Sequence, residues 1–211
     1  MMIYPRVLAL AEVAWSAPSK KNYEDFHVRA LKAVEELKKS GYNPFELKNE
    51  IGNRPGADKP VNIWQVGKKV TYGLDAAYYP GYAAGGDTAL VDGVRGGWTY
   101  GDKRWQGFID KKRMDITIDL EKETELHFIG ADFMQVCGPE VFMPAEVIIS
   151  ISDDGKDFTE LKHIEHKVVK DDKVTFTNFG WEGNAKGRYV RYQATSGEFG
   201  GFLFTDEVVI K

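Results

Sequence analysis

Cysteine and histidine are scarce in this chain of 211 residues, which has one cysteine and four histidines. The single cysteine, Cys137, cannot form an intramolecular disulfide bond, so the fold does not depend on a disulfide framework. The histidines are scattered, and the pair His163 and His166 lacks a third ligand at a useful spacing. These absences argue against a disulfide-stabilised scaffold and against a zinc site.

Long apolar runs and basic clusters are also missing. The longest apolar segment, residues 7–15, is interrupted by Glu12 and is shorter than the ~20 residues of a membrane span. The 28 lysines and arginines are interleaved with 32 acidic residues, and the net charge is −4. We therefore expect neither nucleic acid nor an anionic membrane as a partner, and no export signal is visible at the N-terminus.

The chain begins with a pattern that is typical of helices. Residues 7–15 are rich in alanine and leucine and contain neither glycine nor proline. A second helix is predicted to start after Asn22, whose side chain can cap the free amide groups while Asp25 completes a capping-box-like arrangement, and to end near Gly41. Apolar side chains recur in it at three- and four-residue steps, which predicts one stripe. The stripe consists of Tyr23, Phe26, Ala30, Val34 and Leu37.

The pattern changes from helix to strand after residue 60. Residues 46–60 are rich in proline and glycine without periodicity, and we predict that they are a linker. Beyond them, about eight short segments such as MDITIDL, at residues 114–120, alternate apolar and polar residues. Asp154 and Gly155 are a strong hairpin signal between two of these segments. The pattern predicts a mainly β fold, an antiparallel jelly-roll β-sandwich preceded by a short helical segment.

Two stretches near the N-terminus resemble a known enzyme family. The segments YPRVLALAEVAWS, at residues 4–16, and NYEDFHVRA, at residues 22–30, are similar to the end of the catalytic (β/α)8 barrel of family 20 glycoside hydrolases. These are the β-N-acetylhexosaminidases, or chitobiases. The resemblance implies that residues 1–45 are a helical remnant of such a barrel, whose remaining part would precede Met1. It also implies a parent protein that is periplasmic, secreted or displayed at the cell surface.

The remainder of the chain, residues 61–211, resembles a second family. The segments ALVDG, WQGF, DITIDL, VIISISDDGKDF, GRYVRYQA and TDEVVI follow the order and spacing of that family. They are similar to the coagulation factor V/VIII type C domain, a discoidin-like sandwich with a galactose-binding-like fold. The resemblance implies a non-catalytic module that binds carbohydrate or braces the barrel in glycan degradation.

A catalytic pair for the hexosaminidase reaction is not found in the sequence. The resemblance implies an Asp-Glu pair after His-x-Gly-Gly, with the glutamate as general acid. The segment AAGGDT contains this pattern's Gly-Gly-Asp at residues 85–87, but Ala83 replaces the histidine and Thr88 replaces the acid. The pair Asp206 and Glu207 lacks the preceding histidine and glycines. We expect no catalytic residue in this chain, although its parent is expected to be an enzyme.

The resemblance to the sandwich family also implies a structural calcium ion. Its side-chain ligands would be Asp92, in LVDG, and Glu207, in TDEV. Thr88 and backbone carbonyls would complete the oxygen shell that a hard cation needs. The alternative is a turn aspartate that binds its own backbone and a glutamate that faces solvent.

Aromatic residues in glycine-rich loops are the candidates for carbohydrate binding. Exposed rings stack on the apolar face of a sugar, and neighbouring polar side chains bind its hydroxyl groups. The candidate rings and polar groups are Trp98, Tyr100, Trp181 and Phe199, with Arg95, Glu182 and Asn184. The alternative for each ring is a packing role, and Trp105 and Phe108 are predicted to belong to the core.

Three functions are compatible with these patterns. The leading hypothesis is a module of a β-N-acetylhexosaminidase whose partner is the missing barrel or a glycan that contains galactose or N-acetylhexosamine. A discoidin-like adhesion module for a protein or a lipid headgroup is the alternative from another class. A purely structural domain without a ligand is the third.

Overall fold

The structure, a computed structural model, describes residues 4–42, 64–74, 76–109 and 114–211, together with Pro44, Arg54 and Ala57. The chain divides into two units, Met1–Pro55 and Gly56–Lys211. Only Arg54 and Ala57 of the predicted linker, residues 46–60, are described, so that prediction lies largely outside the described residues.

The first unit contains two helices. α1 spans Arg6–Trp15 and α2 spans Tyr23–Lys39. The predicted cap is confirmed, because the side chain of Asn22 accepts a hydrogen bond of 3.2 Å from the backbone N–H of Asp25. Gly41 follows α2 with a φ of +83°, the left-handed conformation in which many chains leave a helix. Neither described helix is long and apolar enough to cross a membrane.

The two helices are joined by an ion pair at their surface. The guanidinium group of Arg29, in α2, contacts the carboxylate of Glu12, in α1, at 2.9 Å. α1 has no buried residue and leaves Trp15 90% exposed. The apolar stripe of α2 is buried at Ala30 and Val34.

The second unit contains seven strands in the part of the chain that the structure describes. They are β1 (Lys69–Tyr72), β2 (Gln106–Ile109), β3 (Met114–Gln135), β4 (Pro144–Ser152), β5 (Thr159–Glu165), β6 (Thr175–Ser196) and β7 (Phe202–Ile210). The strands pair antiparallel in the order β2-β7-β3-β6-β4-β5, and β1 pairs with β3. The prediction of a mainly β, antiparallel fold is confirmed.

Two of the strands are longer than the sequence pattern predicts. β3 and β6 have 22 residues each and run side by side, with register shifts between residues 119 and 124 and between 126 and 128 of β3. Charged residues interrupt the alternation at this point, which suggests separate strands, but the chain only bends there, with Glu121 at a φ of +71°. The pattern also misses β2, because four residues are too few to show a period.

The bend lets the two long strands contribute to two layers. In the first layer, residues 114–119 of β3 and 189–196 of β6 pair with each other and with β1 and β4. In the second layer, residues 129–135 of β3 pair with 175–181 of β6 and with β7, which pairs with β2. One buried cluster contains side chains from both layers, among them Ile116, Ile118, Ile129 and Phe133. The core therefore lies between the layers of a β-sandwich.

A loop packs on the outer face of the second layer, which is the side turned away from this core. Alternation along β3 places Met134 on the outer face, because Phe133 belongs to the core. Met134 and Phe204 form a second apolar cluster with Trp105 and Tyr100, which belong to the segment between β1 and β2. The loop thus gives this layer a second, smaller core.

Candidate functional site

One half of the outer face is covered by rings. We call this the covered half; its rings are Tyr82, Tyr100, Trp105, Phe176, Phe202 and Phe204. Trp105 is 1% exposed, and its ring stacks on that of Phe176 with 5.8 Å between centroids. It also donates its ring N–H to the carbonyl oxygen of Gly97 at 3.2 Å. The predicted burial of Trp105, and that of Phe108 in the main core, is confirmed.

Two of the candidate sugar-binding rings are packed at the covered half: Tyr100 is one of its rings, and Trp98 contacts it. Tyr100 stacks on Phe204 with 4.8 Å between centroids and meets Tyr82 edge-on at 5.7 Å. Trp98 meets Phe176 edge-on at 5.4 Å. Both candidate rings are partly buried, so this geometry favours the packing alternative for them.

The candidate Arg95 is engaged inside the protein. Its guanidinium group contacts the carboxylates of Asp132 at 2.9 Å and Asp206 at 3.4 Å, and only 11% of its side chain is exposed. Asp206 also accepts a hydrogen bond of 2.9 Å from the backbone N–H of Gly96. Arg95 therefore fastens the loop to the sheet and has little surface left for a sugar.

A groove lies beside the covered half, where outer-face residues of β3 and β6 meet Trp181, which packs on the core side, and Lys162 of β5. The groove has a volume of about 390 Å³ and is lined by Phe128, Lys162, Asn178, Gly180, Trp181 and Glu182. Its lining combines two aromatic rings with an amide, a carboxylate and an ammonium group. Rings with a few convergent polar groups are typical of sites for small molecules.

Two glycines keep the floor of the groove open. Gly130 and Gly180 lie opposite each other in the register of β3 and β6. A Cβ atom on Gly180 would lie 2.9 Å from Oδ1 of Asn178. A Cβ atom on Gly130 would lie 2.7 Å from the ring of Phe128. Any other residue at either position would displace a lining group, which explains glycine in the middle of these strands.

Neighbouring groups hold the lining of the groove in place. Asn178 donates a hydrogen bond of 2.7 Å from Nδ2 to Oδ1 of Asp132. The ammonium group of Lys211 lies 5.6 Å from the ring centroid of Phe128. The ring of Trp181 packs against the main core. Because these side chains are ordered before a ligand arrives, less entropy is lost on binding.

The structure brings together only part of the predicted carbohydrate set. Trp181 and Glu182 line the groove. Asn184 lies further along β6, where its Oδ1 is 2.9 Å from Nδ1 of His127. Phe199 belongs to a separate ring pair. The seven candidates therefore divide among the groove, the surroundings of the covered half and two further positions.

Sequence reasoning does not find three of the groove residues, Phe128, Lys162 and Asn178. Phe128 and Asn178 lie on the paired strands β3 and β6, and Lys162 lies on β5, which pairs with β4, so tertiary structure brings the three together rather than sequence spacing. Asn178 carries one local signal, because asparagine is depleted in strand interiors and this one follows an apolar-polar alternation. A polar residue at such a position calls for a partner or a ligand.

A β-bulge directs the adjacent acids Asp206 and Glu207 to different partners. The pairing of β3 with β7 shifts here, so that the two acids together oppose the single residue Asp132. Asp206 contacts Arg95, whereas Glu207 accepts a hydrogen bond of 3.1 Å from the backbone N–H of Gly93. Both carboxylates thus hold the loop that carries Trp98 and Tyr100.

Glu207 provides the buried half of the predicted calcium site. It is 0% exposed, so the alternative of a solvent-facing glutamate is wrong. Its Oε1 accepts a hydrogen bond of 3.1 Å from the side-chain amide of Gln65, whereas Oε2 is buried without a hydrogen-bond partner among the described residues. Burial raises the pKa of Glu207 to about 8.

Asp92 provides the exposed half of this site. Its Oδ1 accepts a hydrogen bond of 2.7 Å from the backbone N–H of Val94, which is the turn geometry of the alternative interpretation. Burial raises its pKa as well. Thr88 makes no capping hydrogen bond at the start of the following turn. Within the described residues no three His, Cys, Asp or Glu side chains converge on a metal position.

These residues fit a hard cation better than a transition metal. The available donors are carboxylate, hydroxyl and carbonyl oxygens, which suit Ca²⁺, and no thiolate or imidazole is among the predicted ligands. Among the described residues, the buried Oε2 of Glu207 is an unpartnered polar atom that a cation would satisfy. A bound cation would need backbone or solvent oxygens for most of its shell.

Comparison with known proteins gives one family. The family model of the F5/8 type C domain matches residues 75–208. No curated protein shows significant similarity to the chain.

The chain is also similar to solved structures, at low sequence identity. SpGH29 is 12% identical over 71% of this chain, with a TM-score of 0.46. The chitosan-binding module 1 of a chitosanase/glucanase from Paenibacillus sp. IK-5 is 13% identical over 71%, with a TM-score of 0.48. The fucose binding module SpX-3 of Streptococcus pneumoniae is 17% identical over 71%, also with 0.48. This chain spans 27% of SpGH29, 98% of the Paenibacillus module and 97% of the Streptococcus module.

Proposed function

The chain belongs to the F5/8 type C domain family across residues 75–208, and we propose that its sandwich is a carbohydrate-binding module whose ligand lies in the groove. The groove is the observation that carries this proposal. Phe128 and Trp181 offer aromatic surface for the C–H face of a sugar, and Asn178, Glu182 and Lys162 offer hydrogen-bonding groups for its hydroxyls.

The shape of the groove sets the expected strength of binding. It is a shallow depression on a sheet, large enough for one or two sugar rings, and its rings are only partly exposed. A shallow site of this kind is expected to bind a monosaccharide with a dissociation constant on the order of 1 mM. Tighter binding would need an oligosaccharide that extends along β6.

Amide chemical shifts in a sugar titration test the proposal. Galactose, N-acetylglucosamine and N-acetyllactosamine are titrated to millimolar concentration while the backbone amides and tryptophan ring N–H groups are recorded. We expect shifts at Gly130, Gly180 and Trp181. Shifts confined to Trp98 and its neighbours would move the site to the loop, and the absence of shifts with all three sugars would remove the carbohydrate proposal.

A pair of phenylalanine variants distinguishes the loss of a sugar contact in the groove from the general effect of removing an aromatic ring. Phe128→Ala removes a groove ring that has a lysine ammonium group 5.6 Å from its centroid. Phe199→Ala is the matched control, because Lys170 lies 4.3 Å from that ring and Phe199 does not line the groove. We expect Phe128→Ala to weaken sugar binding at least fivefold and Phe199→Ala to leave it unchanged. Equal losses in both variants would contradict the placement.

We also propose that the parent protein is a β-N-acetylhexosaminidase, exported to the periplasm, the cell surface or the medium. The resemblance of residues 4–16 and 22–30 to the end of that enzyme's barrel supports this assignment. The module would then bind a glycan with galactose or N-acetylhexosamine, or brace the barrel. A chromogenic N-acetylglucosaminide should show no turnover with this chain, and turnover would overturn the assignment of catalysis to a separate barrel.

A calcium ion at Asp92 and Glu207 is proposed as a structural component of the module. The buried, unpartnered Oε2 of Glu207 supports it. Thermal melts with calcium and with a chelator provide the test, with Glu207→Gln as the variant that keeps the shape of the side chain. We expect calcium to raise the midpoint of the wild type and not that of Glu207→Gln. A midpoint that calcium and chelator both leave unchanged would remove the proposal.

A further inference from the structure

The side-chain amide of Asn178 has one orientation. Its Nδ2 lies 2.7 Å from Oδ1 of Asp132. An ionised carboxylate only accepts hydrogen bonds, so the NH₂ group of the amide must face Asp132. The carbonyl oxygen Oδ1 of Asn178 then points the other way.

Asp132 is itself held by neighbours that keep it ionised. It is 9% exposed, and its Oδ2 accepts a hydrogen bond of 2.9 Å from the guanidinium group of Arg95. Its backbone carbonyl accepts a hydrogen bond of 2.9 Å from the hydroxyl group of Thr205. Arg95 also contacts Asp206, so the carboxylate sits in a fixed, charged network.

The free carbonyl oxygen of Asn178 lies above the glycine floor. Cβ atoms on Gly130 and Gly180 would come within 3.0 Å and 2.9 Å of this oxygen. The absence of Cβ atoms at the two glycines therefore leaves room for this oxygen in the lining of the groove. Glu182 lies four residues beyond Asn178 on the same strand face and adds a second acceptor to the lining.

We propose that Asn178 is the specificity-determining residue of the groove, a proposal that rests on the proposed sugar binding. Its carbonyl oxygen faces the groove, because Asp132 holds its NH₂ group on the other side. The ligand must therefore place a hydroxyl or amide N–H against that oxygen, and a group that only accepts, such as a fluorine, an ether oxygen or a carboxylate, makes no hydrogen bond with it. Asp132 and Arg95 are positioning residues that act through Asn178.

Deoxyfluoro sugars test this arrangement, because fluorine replaces a hydroxyl donor at nearly constant size. The series is built on methyl β-galactoside or methyl N-acetyl-β-glucosaminide, whichever shifts the groove amides more, with fluorine at one ring position at a time. In the wild type we expect fluorine at one ring position, the one whose hydroxyl contacts Asn178, to lower the affinity about fivefold. This is the loss expected for one hydrogen bond.

Variants assign that loss to a residue. Asn178→Ala should weaken the parent sugar about fivefold and abolish the fluorine penalty at that position. Asp132→Asn should also abolish the penalty at that position, whatever its effect on the parent affinity, because the amide of Asn178 can now turn its NH₂ group to the ligand. A purely structural role of Asp132 would instead weaken all sugars by one factor. Asn184→Ala, on the same strand outside the groove, should keep the penalty.

The outcomes separate this inference from the proposed function. If neither parent sugar shifts the groove amides, the carbohydrate proposal fails and this one with it. If a parent sugar binds but no fluorine penalty depends on Asn178, the carbohydrate proposal stands and the acceptor role is overturned. A penalty that persists in Asp132→Asn overturns the positioning role alone.

Discussion

The covered half and the groove are two parts of one sheet face that use the same residue types differently. In the covered half, Trp105 lies directly against Gly96, and its ring N–H is satisfied by the backbone. In the groove, Gly180 lies beneath the free carbonyl oxygen of Asn178. Glycine allows another group to approach the backbone closely in both places. In the covered half that group is the ring of Trp105, whereas in the groove it is the carbonyl oxygen of Asn178, which is available to a ligand.

The difference between the halves comes from the loop and from the charges that anchor it. The rings of the loop reach only as far as Phe176 and Phe204, while Arg95 bridges Asp132 and Asp206 at the boundary. Beyond that boundary the groove is lined by none of the described residues of this loop. An aromatic, glycine-rich segment is therefore not by itself a sugar site, because its rings can pack within the protein instead of facing a ligand.

Trp105→Ala should have the largest effect and should act on stability alone. The ring is fully buried, and removal of such a ring costs about 3–5 kcal/mol of the free energy of unfolding. Urea unfolding measures the loss, and Trp98→Ala, at a partly buried ring, should cost less. If the folded fraction of Trp105→Ala also lost sugar binding, the division of the face into two halves would be wrong.

Arg95→Met should have the next largest effect and should act on both halves. It leaves the buried carboxylates of Asp132 and Asp206 without their shared cation, which costs about 3 kcal/mol when a buried pair is broken. Unfolding and sugar titration measured on the same sample check this. A loss of sugar affinity without a loss of stability would show that Arg95 contacts the ligand itself.

Gly180→Ala should have a smaller effect on stability and a large one on binding. The new Cβ would press on Oδ1 of Asn178, so we expect a destabilisation of about 1 kcal/mol and a loss of sugar affinity of at least tenfold. Gly138→Ala is the control, since a Cβ there meets nothing within 4 Å. Undiminished affinity in Gly180→Ala would mean that the ligand does not lie in the groove.

The smallest effect is expected far from both halves, at the turn that contains Asp154. Hydrogen bonds from the backbone N–H groups of Asp157 and Lys156 lower the pKa of Asp154 to about 2. Because its pKa in the unfolded chain is about 3.9, the carboxylate stabilises the fold above pH ~4 and loses this effect as pH falls towards 2.

Asp154→Asn tests this pH dependence and serves as a baseline for the comparison. Asparagine keeps the acceptor of the turn but does not titrate, so its thermal midpoint should fall less between pH 4 and pH 2 than that of the wild type. Asp153→Asn is the neighbouring control. Sugar affinity at pH 7 should be equal in all three proteins, and a change would reveal coupling between this turn and the groove.

Much of the fold follows from patterns that lie within a few residues. The cap at Asn22 and the alternation around Ile116 and Ile118 are set by neighbouring residues, and the structure contains them as predicted. The fusion of four predicted segments into β3 and β6 could not be predicted in the same way. Whether a charged interruption ends a strand or only bends it depends on the partner strand beside it.

The candidate site shows the same division. Trp181 and Glu182 were within reach of the sequence because an aromatic residue between glycines is a local feature. Phe128, Lys162 and Asn178 were not, because they lie on three strands that only the tertiary structure brings together. The sequence also left the roles of Arg95 and Tyr100 undecided. A cation or a ring in a loop can bind a ligand or pack within the protein, and only its contacts distinguish the two roles.

The local order of side chains therefore decides that this chain forms antiparallel strands around an apolar core, because alternation and turn formation need only neighbours. Tertiary structure decides which half of the outer face is left bare. That outcome depends on Arg95 reaching Asp132 and Asp206, which are 37 and 111 residues away in the chain. Such contacts arise from strand register and the bulge in β7, and no local pattern encodes them.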